Sequence, residues 1–220
     1  KVIWKEGDVQ LREVGGEILS FTCIDDDYHD WQNEHRKAAL FLCDRVIRAD
    51  VDTAPGKKMK IFSFGKDNNY KTSQVRAWLQ KNSQNSSFCL EPIHTGIQTA
   101  YMGSTAAGAF SQTSGRELVR HDIGFQLMND QLFCLSLEEA LAYREYLWRF
   151  DSGDDNPQSQ VSAYSQGYYL RTPFYLQDEN GKFIYNQQIY GVDLVNGCLR
   201  PVRTDSETYG VRPAFALSQM

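Results

Sequence analysis

The first segment of the chain alternates apolar and polar residues on both sides of a Gly-Gly pair. Short alternating stretches occupy 9–14 and 17–23, and Gly15-Gly16 lies between them. Half-buried strands alternate in this way, and glycine supplies the positive φ angles of a two-residue turn. The pattern predicts a β-hairpin. It breaks at the acidic stretch 25–30, which we expect to form a loop tip, and the apolar run 37–43 predicts the next strand.

The segment 72–79 is the first with helical spacing. Its apolar residues Val75 and Leu79 follow Ser73, whose hydroxyl group can cap a helix. A short amphipathic helix is therefore predicted. The stretch 95–120 is instead rich in Gly, Ser, Thr and Ala and has little periodicity. We expect a long surface loop there and assign no element to it.

A second helix is predicted to begin at a capping box. Ser136 and Glu139 have the spacing at which each side chain satisfies the free backbone amide of the other, and they follow a short apolar strand at 132–135. The polar segment 151–157, with its Gly and Pro, is expected to end the helix and form a connection. One helical face is apolar and comprises Leu137, Ala140, Leu141, Leu147 and Trp148.

The last third of the chain predicts a β-rich lobe with little helix. Asn180-Gly181 and Asn196-Gly197 are each flanked by aromatic and β-branched residues. Asn-Gly favours the type I′ turn of a two-residue hairpin, so two hairpins are expected within 160–220. Together with the two helices of 1–150, this pattern predicts a single α+β domain over 1–220.

The amino-acid composition indicates one large folded domain and argues against two classes of protein, those that bind nucleic acid and those that span a membrane. The chain has 220 residues, of which 41% are hydrophobic and 23% charged, enough to bury the core of one large domain. The 23 Lys plus Arg and 28 Asp plus Glu give a net charge of -5 without a basic stripe, so no nucleic-acid partner is expected. The longest purely apolar run, 38–43, is far shorter than the roughly 20 residues of a bilayer-spanning helix, so no membrane span is predicted.

Motifs for metal, nucleotide or nucleophile chemistry are weak. The five cysteines have no zinc or redox spacing, and three of them, Cys23, Cys43 and Cys134, lie in apolar segments that favour buried free thiols. The glycine spacing of 103–108 lacks the lysine of a phosphate loop. The acidic stretch 25–30 could hold calcium, but a run of like charge is usually a solvated face. No cofactor and no metal site are assigned.

Aromatic and amide side chains are concentrated in the last lobe. Tyrosine combines a large contact area with a polar tip, and amides give adaptable hydrogen bonds, so this composition is typical of binding surfaces. Strand alternation nevertheless requires about half of these side chains to face the core. The predicted ligand-binding residues are Tyr175, Gln177, Tyr185, Asn186, Gln188, Tyr190, Asp193, Asn196 and Arg203.

Four motifs resemble those of a bacterial family. Tyr168-Tyr-Leu-Arg-Thr-Pro173 resembles its W-W-L-R-S-P motif, and Gly210-Val-Arg-Pro-Ala214 matches its G-V-R-P-A motif. The segments 73–79 and 130–140 look like its S-x-L-R-x-W-L helix and its F-L-L-S-x-x-E-A segment. In these motifs the chain is similar to the family catalogued as domain of unknown function 6273.

The resemblance implies a C-type-lectin-like fold, as in formylglycine-generating enzymes and the variable proteins of diversity-generating retroelements. In those relatives, loops and hairpins of the last lobe face the ligand. The resemblance also implies structural roles for Arg76, Trp78, Arg171 and Arg212, with the last two pairing with buried carboxylate or carbonyl groups. The close cysteine pair of formylglycine-generating enzymes has no counterpart here, which argues against oxidase chemistry.

The sequence therefore predicts a non-catalytic binding domain of a bacterial protein, whose last lobe engages a protein or a glycan. The lectin-like resemblance favours a cell-surface or secreted location, while compartment and oligomeric state stay open. Two alternatives remain: a structural or interaction module without a small ligand, and an enzyme that uses Cys198 or a metal at 25–30.

Overall fold

A computed structural model describes residues 3–30, 33–47, 52–54, 57–58, 63–83, 95–98, 102–103, 110–111, 127–150, 161, 166–177, 180, 183–184 and 187–219. The described part is mostly β-sheet with two α-helices, and its fold class is α+β. The strands are β1 Val9–Val14, β2 Glu17–Asp30, β3 Asn33–Cys43, β4 Asp52–Ala54, β5 Lys57–Lys58, β6 Thr95–Gln98, β7 Met102–Gly103, β8 Phe110–Ser111, β9 Leu127–Asp130, β10 Gly167–Gln177, β11 Phe183–Ile184, β12 Gln188–Asp193, β13 Cys198–Arg203, β14 Tyr209–Gly210 and β15 Ala214–Ser218. The helices are α1 Gln74–Asn82 and α2 Leu137–Ala142.

The first sheet joins the two ends of the chain. Its order is β1-β2-β3-β15, and all three pairings are antiparallel. The predicted hairpin is confirmed: Val14 pairs with Glu17, and Gly15 and Gly16 have φ angles of 62° and 83°, which a two-residue type I′ turn requires. The inner face packs aromatic rings, with Phe41 and Phe215 stacked at a centroid distance of 5.2 Å.

The acidic stretch 25–30 belongs to a strand, so the prediction of a loop tip was wrong. Strand β2 continues to Asp30, and Asp25 and Tyr28 pair with residues of β3. Register shifts at the start of this stretch and within it interrupt the alternation. They let Tyr28 enter the core, where its hydroxyl donates to Glu139 at 2.6 Å, while Asp27 forms an exposed ion pair with Lys37. The predicted strand at 37–43 lies within β3 and is confirmed.

Both predicted helices are present, and both begin as their capping residues predict. The Ser73 hydroxyl accepts from the Arg76 amide at the start of α1. Ser136 and Glu139 form the expected capping box at the start of α2. Helix α2 is shorter than predicted. It ends at Ala142, and a 3-10 turn over Arg144–Tyr146 follows. Neither described helix is long and apolar enough to cross a bilayer.

Two other segments differ from their predicted secondary structure. The stretch 95–120 contains β6, β7 and β8, although we expected no element there, and its remaining residues lie outside the described ones. The apolar run 132–135 makes an isolated bridge from Phe133 to Ala214, and the neighbouring strand β9 ends earlier, at Asp130. The expected connection at 151–157 also lies outside the described residues.

The C-terminal lobe is a second sheet with seven strands. Its main path is β11-β10-β12-β13-β8, and β7 and β14 pair with β10 in parallel. Both hairpins expected near the Asn-Gly pairs are present, as β10–β11 and β12–β13. The second turn differs from the prediction: Asp193 pairs with Cys198, so four residues connect the strands rather than two. The glycine of this turn, Gly197, has a φ of 62°.

Gly167 is required where β10 passes between β12 and the Tyr209 ring. A Cβ at this position would lie 2.0 Å from the Val192 carbonyl oxygen and 2.6 Å from the Tyr209 ring. We therefore expect Gly167→Ala to lower the free energy of unfolding by about 3 kcal/mol, measured by urea unfolding. The control is Gly65→Ala, whose new Cβ would have its nearest neighbour at 3.4 Å and should be nearly neutral. Equal stability of the two variants would contradict this account.

Candidate ligand-binding cleft

A cleft with a volume of about 440 Å³ lies in the C-terminal lobe, beside the hairpin β12–β13 and the segment that follows it. Its volume falls within the roughly 300–1,000 Å³ of typical small-molecule sites. Four of the predicted ligand-binding residues line it: Gln188, Asp193, Asn196 and Arg203. The remaining lining residues are Gln166, Val195, Arg200, Pro201, Val202, Ser206, Thr208 and Tyr209.

Of the other five predicted residues, only Tyr190 has a described side chain, and it is not among the described lining. Tyr190 is completely buried, and its ring packs edge-on against Phe174 at 5.6 Å, so it belongs to the core of the lobe. Tyr175 and Gln177 are described by their backbone in β10 only. Tyr185 and Asn186 lie outside the described residues.

Asp193 organises one wall of the cleft. Its Oδ1 accepts from the backbone amides of Val195 and Asn196, both at 2.9 Å, and these two bonds close the four-residue turn. Its Oδ2 accepts from the Asn196 side-chain amide at 2.8 Å and from Arg200 at 3.3 Å. Burial by itself would raise the pKa of Asp193, but the donors of Asn196, Arg200 and Val195 together lower it. Asp193 is thus a charged, buried carboxylate that fixes the turn.

The opposite wall is a row of neutral polar side chains. The hydroxyl groups of Ser206 and Thr208 are 3.2 Å apart, and the Thr208 hydroxyl lies 3.4 Å from the Gln166 side-chain oxygen. Backbone bonds hold this row in place, since the Gln166 amide donates to the Thr208 carbonyl at 2.7 Å and the Tyr169 hydroxyl donates to the Ser206 carbonyl at 2.7 Å. The row therefore offers hydroxyl and amide groups from a fixed backbone.

Tyr209 is the most buried aromatic residue of the described cleft lining. Only 6% of this residue is exposed, and its ring lies over Gly167 and Gly191, where a Cβ would come within 2.6 and 3.3 Å of the ring. Burial is the main cause that raises the pKa of its hydroxyl, and the Asp193 charge adds to it. The phenol is therefore neutral at physiological pH, and close packing against the two glycines holds its ring in place.

Sequence analysis did not identify Arg200. An Asn-Gly pair in a two-residue turn would have placed Arg200 opposite Asp193, whereas the four-residue turn pairs it with Gly191. Gly191 leaves room there for neighbouring side chains, since a Cβ at this position would come within 2.8 Å of Val202 and 3.3 Å of the Tyr209 ring. The only sequence signal was an arginine among apolar residues of a strand, which by itself is more typical of a solvated position.

Asp193→Asn tests the carboxylate that holds the turn. The folded-state pKa of Asp193 lies below its ordinary value, so its charge stabilises the fold above about pH 4, and this contribution is lost as the pH falls through the folded-state pKa. We expect the loss of unfolding free energy in Asp193→Asn to be largest near neutral pH and to shrink below about pH 4. Urea unfolding across this range measures it.

Asp205→Asn is the matched control for this series. Asp205 forms an ion pair with Arg203 at 2.8 Å, but its side chain is 64% exposed. An exposed ion pair of this kind contributes little to stability. The unfolding free energy of the control should therefore stay close to that of the wild type at every pH. A pH-independent loss in Asp193→Asn would show that its charge does not stabilise the turn.

The residues expected to be structural make buried or half-buried polar contacts. Arg171 forms an ion pair with the buried carboxylate of Glu139 and donates to the Cys134 carbonyl at 2.6 Å. Among the described residues, Arg212 donates to the backbone carbonyls of Cys43, Tyr146, Leu147 and Arg149 and to the Tyr168 hydroxyl. Arg76 holds the buried Asp130 through two guanidinium nitrogens, at 2.9 and 2.7 Å. Trp78 is partly buried against the core.

The described thiols are buried. Burial raises the pKa of Cys43 to about 11 and those of Cys23 and Cys134 to about 12, so these groups are protonated at neutral pH. Burial also raises the pKa of Cys198, close to the cleft. Among the described residues, no three His, Cys, Asp or Glu side chains are grouped as a metal site would require.

Comparison with known proteins identifies the family. The protein-family model described as Domain of unknown function (DUF6273) matches residues 40–219, which is well over half of the chain. Searches of curated proteins and of solved structures gave no match. The resemblance noted in the sequence is thereby confirmed at the level of the family, and the chain belongs to the DUF6273 family, a domain of unknown function.

Proposed function

We propose that this chain is a non-catalytic binding domain of a bacterial protein, with a C-type-lectin-like fold, and that the cleft of its C-terminal lobe engages a protein or glycan ligand. One observation carries the proposal: polar side chains line an open cleft while hydrogen bonds and strand pairing fix their backbones. A site of this kind loses little conformational entropy on binding. The pairing of β3 with β15 supports a single domain.

An enzyme is less well supported by the described residues. A thiol-dependent enzyme needs a thiolate, and burial raises the pKa of Cys198, so this thiol is protonated at neutral pH. The carboxylate of the cleft, Asp193, has a lowered pKa and is already occupied by four donors. It is thus a poor general base, for which a pKa near the working pH is favourable.

A thermal-shift screen tests the proposal. Purified protein is screened against glycans, peptidoglycan fragments and short peptides, because a ligand that binds only the folded state raises the melting temperature. For a hit that binds in the cleft, we expect the shift to be lost in Gln188→Ala. It should be kept in Asn180→Ala, which changes an exposed amide outside the cleft lining. Equal shifts in both variants would place the ligand elsewhere.

The β1–β2 hairpin supports a second candidate, an interaction module without a small ligand. Val9, Leu11 and Ile18 share one face of the hairpin by their strand register, and they are 44%, 63% and 71% exposed. Strand β1 lies at the end of its sheet in the described part of the chain. Apolar side chains on an edge strand favour association with another protein surface.

Sedimentation equilibrium tests the second candidate. If the hairpin mediates self-association, the wild-type chain should show a mass that rises with concentration, and Ile18→Thr should reduce this rise. Glu13→Gln changes the cross-strand neighbour of Ile18 and serves as the control. A monomeric mass at all concentrations would argue against self-association through the hairpin.

A further inference from the structure

Arg200 is the cation of the cleft with the most free hydrogen-bonding capacity. Its side chain is 48% exposed. A guanidinium has five N–H donors, and within the described residues Arg200 uses only one of them, towards Asp193. The remaining donors form the planar edge that binds carboxylates in a bidentate manner.

Asp193 positions Arg200 without fully occupying it. Three neutral donors already hold the Asp193 carboxylate, at 2.8 to 2.9 Å, whereas its contact with Arg200 is longer, at 3.3 Å. The carboxylate is therefore stabilised mainly by the turn, and the single bond fixes the direction of the Arg200 side chain. An anion from solution can approach the exposed side of the guanidinium.

Arg203 provides an internal comparison on the same strand. Its Nε and a terminal nitrogen both donate to Asp205, each at 2.8 Å, so its bidentate edge is already filled. Arg203 is 67% exposed, more than Arg200, but its charge is offset by this carboxylate. Exposure alone thus does not distinguish the two arginines, whereas the free guanidinium edge does.

The rest of the lining is suited to hydroxyl groups. Gln166, Gln188, Ser206 and Thr208 offer neutral donors and acceptors, while the apolar part of the lining consists of Val195, Pro201, Val202 and the mostly buried ring of Tyr209. Saccharide hydroxyls need such paired donors and acceptors, whereas a peptide ligand usually anchors a large apolar side chain in a pocket.

Beyond Cys198 and Leu199, which pair with β8, the outer edge of β13 also disfavours a peptide that adds as a strand. The Thr204 amide donates to the Gln187 carbonyl at 2.9 Å, and by alternation Arg200 and Val202 bond to β12 while Pro201 points away from it. Proline has no N–H, so the outer edge lacks a donor at this position. Side chains rather than backbone would therefore provide the recognition.

From this arrangement we infer that the cleft binds an acidic saccharide, with its carboxylate on the Arg200 guanidinium and its hydroxyls on the neutral wall of Gln166, Ser206 and Thr208. The inference rests on the proposed function, because it names the ligand class of the same cleft. Asp193 is a positioning residue in this scheme.

The test is an NMR titration of the ¹⁵N-labelled chain. D-glucuronate and D-glucose are compared because they differ only at C6, which is a carboxylate in glucuronate and a hydroxymethyl group in glucose. Acetyl-Glu-Gly-Glu-amide is added as an acidic peptide. The signals followed are the arginine Nε–H groups and the amides of Gln188 and Thr208. We expect saturable shifts with glucuronate and binding about tenfold or more weaker with glucose. Arg200→Gln should remove this preference, and the matched control Arg149→Gln, at an exposed arginine outside the cleft lining, should keep it.

The other outcomes separate the inference from the proposed function. If both sugars shift the cleft signals alike, or Arg200→Gln keeps the preference, the carboxylate assignment is overturned while binding in the cleft stands. If only the peptide binds and depends on Arg200, the saccharide is wrong and a protein ligand replaces it. If none of the three probes shifts the cleft signals, both the inference and the proposed function of this cleft fail.

Discussion

Arg171→Met is expected to lower the free energy of unfolding by about 3–5 kcal/mol, because it leaves the Glu139 carboxylate buried without its cation. Both side chains are nearly inaccessible, with exposures of 1% and 8%. In a chain of this size such a loss lowers the melting temperature by about 6–20 °C. Calorimetry and urea unfolding measure the effect. The matched control is Arg203→Met, whose exposed ion pair should contribute little to stability.

The pH dependence of this variant has a definite sign. In the wild type, burial would raise the pKa of Glu139, but Arg171, the Tyr28 hydroxyl and the Ser136 amide lower it. Its charge therefore stabilises the fold above the ordinary value of about 4.3, and this contribution is lost as the pH falls through the folded-state pKa. In Arg171→Met the burial cost is no longer offset by the cation. The difference in unfolding free energy between Arg171→Met and the wild type should then become smaller as the pH is lowered.

A double-mutant cycle separates the ion pair from packing. Arg171→Met and Glu139→Gln are combined, and the loss in the double variant should be smaller than the sum of the single losses by about 1–3 kcal/mol. Both substitutions keep most of the side-chain volume, so cavity formation contributes little. If the losses of unfolding free energy were additive, the ion pair would not be the cause of the destabilisation. The same would follow if the stability difference between Arg171→Met and the wild type did not change with pH.

The local elements could be predicted from sequence because their determinants are close together in the chain. The Gly15-Gly16 turn needs two residues with positive φ, and the caps at Ser73 and Ser136 need a hydroxyl at the residue that starts the helix. Each of these signals is complete within a few residues.

The acidic strand could not be predicted, because its burial depends on a distant partner. Tyr28 enters the core through its hydrogen bond to Glu139, 111 positions later in the chain. The register shifts on either side of Asp25 then let the neighbouring carboxylates stay on the strand. Neither the partner nor the shifts has a signature in the local pattern, which reads as a polar loop.

The candidate site was predicted in part. Asp193 and Asn196 were identified within the concentration of aromatic and polar side chains in the last lobe, and both line the cleft. Tyr190 was included because tyrosine is frequent in binding surfaces, but its ring packs against Phe174 in the core. Alternation indicates that about half of the side chains of a strand face inward, but it does not indicate which half. The predicted turn was two residues shorter than the observed one, and the length of the turn sets the register.

Arg212→Met is expected to destabilise the fold by about 4 kcal/mol or more. The guanidinium donates to the carbonyls of Cys43, Tyr146 and Leu147 at 2.7, 3.0 and 3.1 Å, and also to that of Arg149. Two of these carbonyls, those of Tyr146 and Leu147, lie at the C-terminal end of the 3-10 turn, where a cation is favoured. Each buried acceptor that loses its donor costs about 1–3 kcal/mol.

Arg212→Lys distinguishes the geometry of the guanidinium from its charge. A lysine keeps the positive charge but has three donors on one atom, so it cannot reach acceptors on β3 and on the 3-10 turn together. The flat guanidinium also stacks on the Phe150 ring at 4.3 Å, and this contact is lost as well. We expect Arg212→Lys to lose about 2 kcal/mol or more in urea unfolding, and the exposed control Arg149→Met to lose less than about 0.5 kcal/mol. If Arg212→Lys were as stable as the wild type, charge at the end of the turn would suffice, and the bridge between the first sheet and the 3-10 turn would not require arginine.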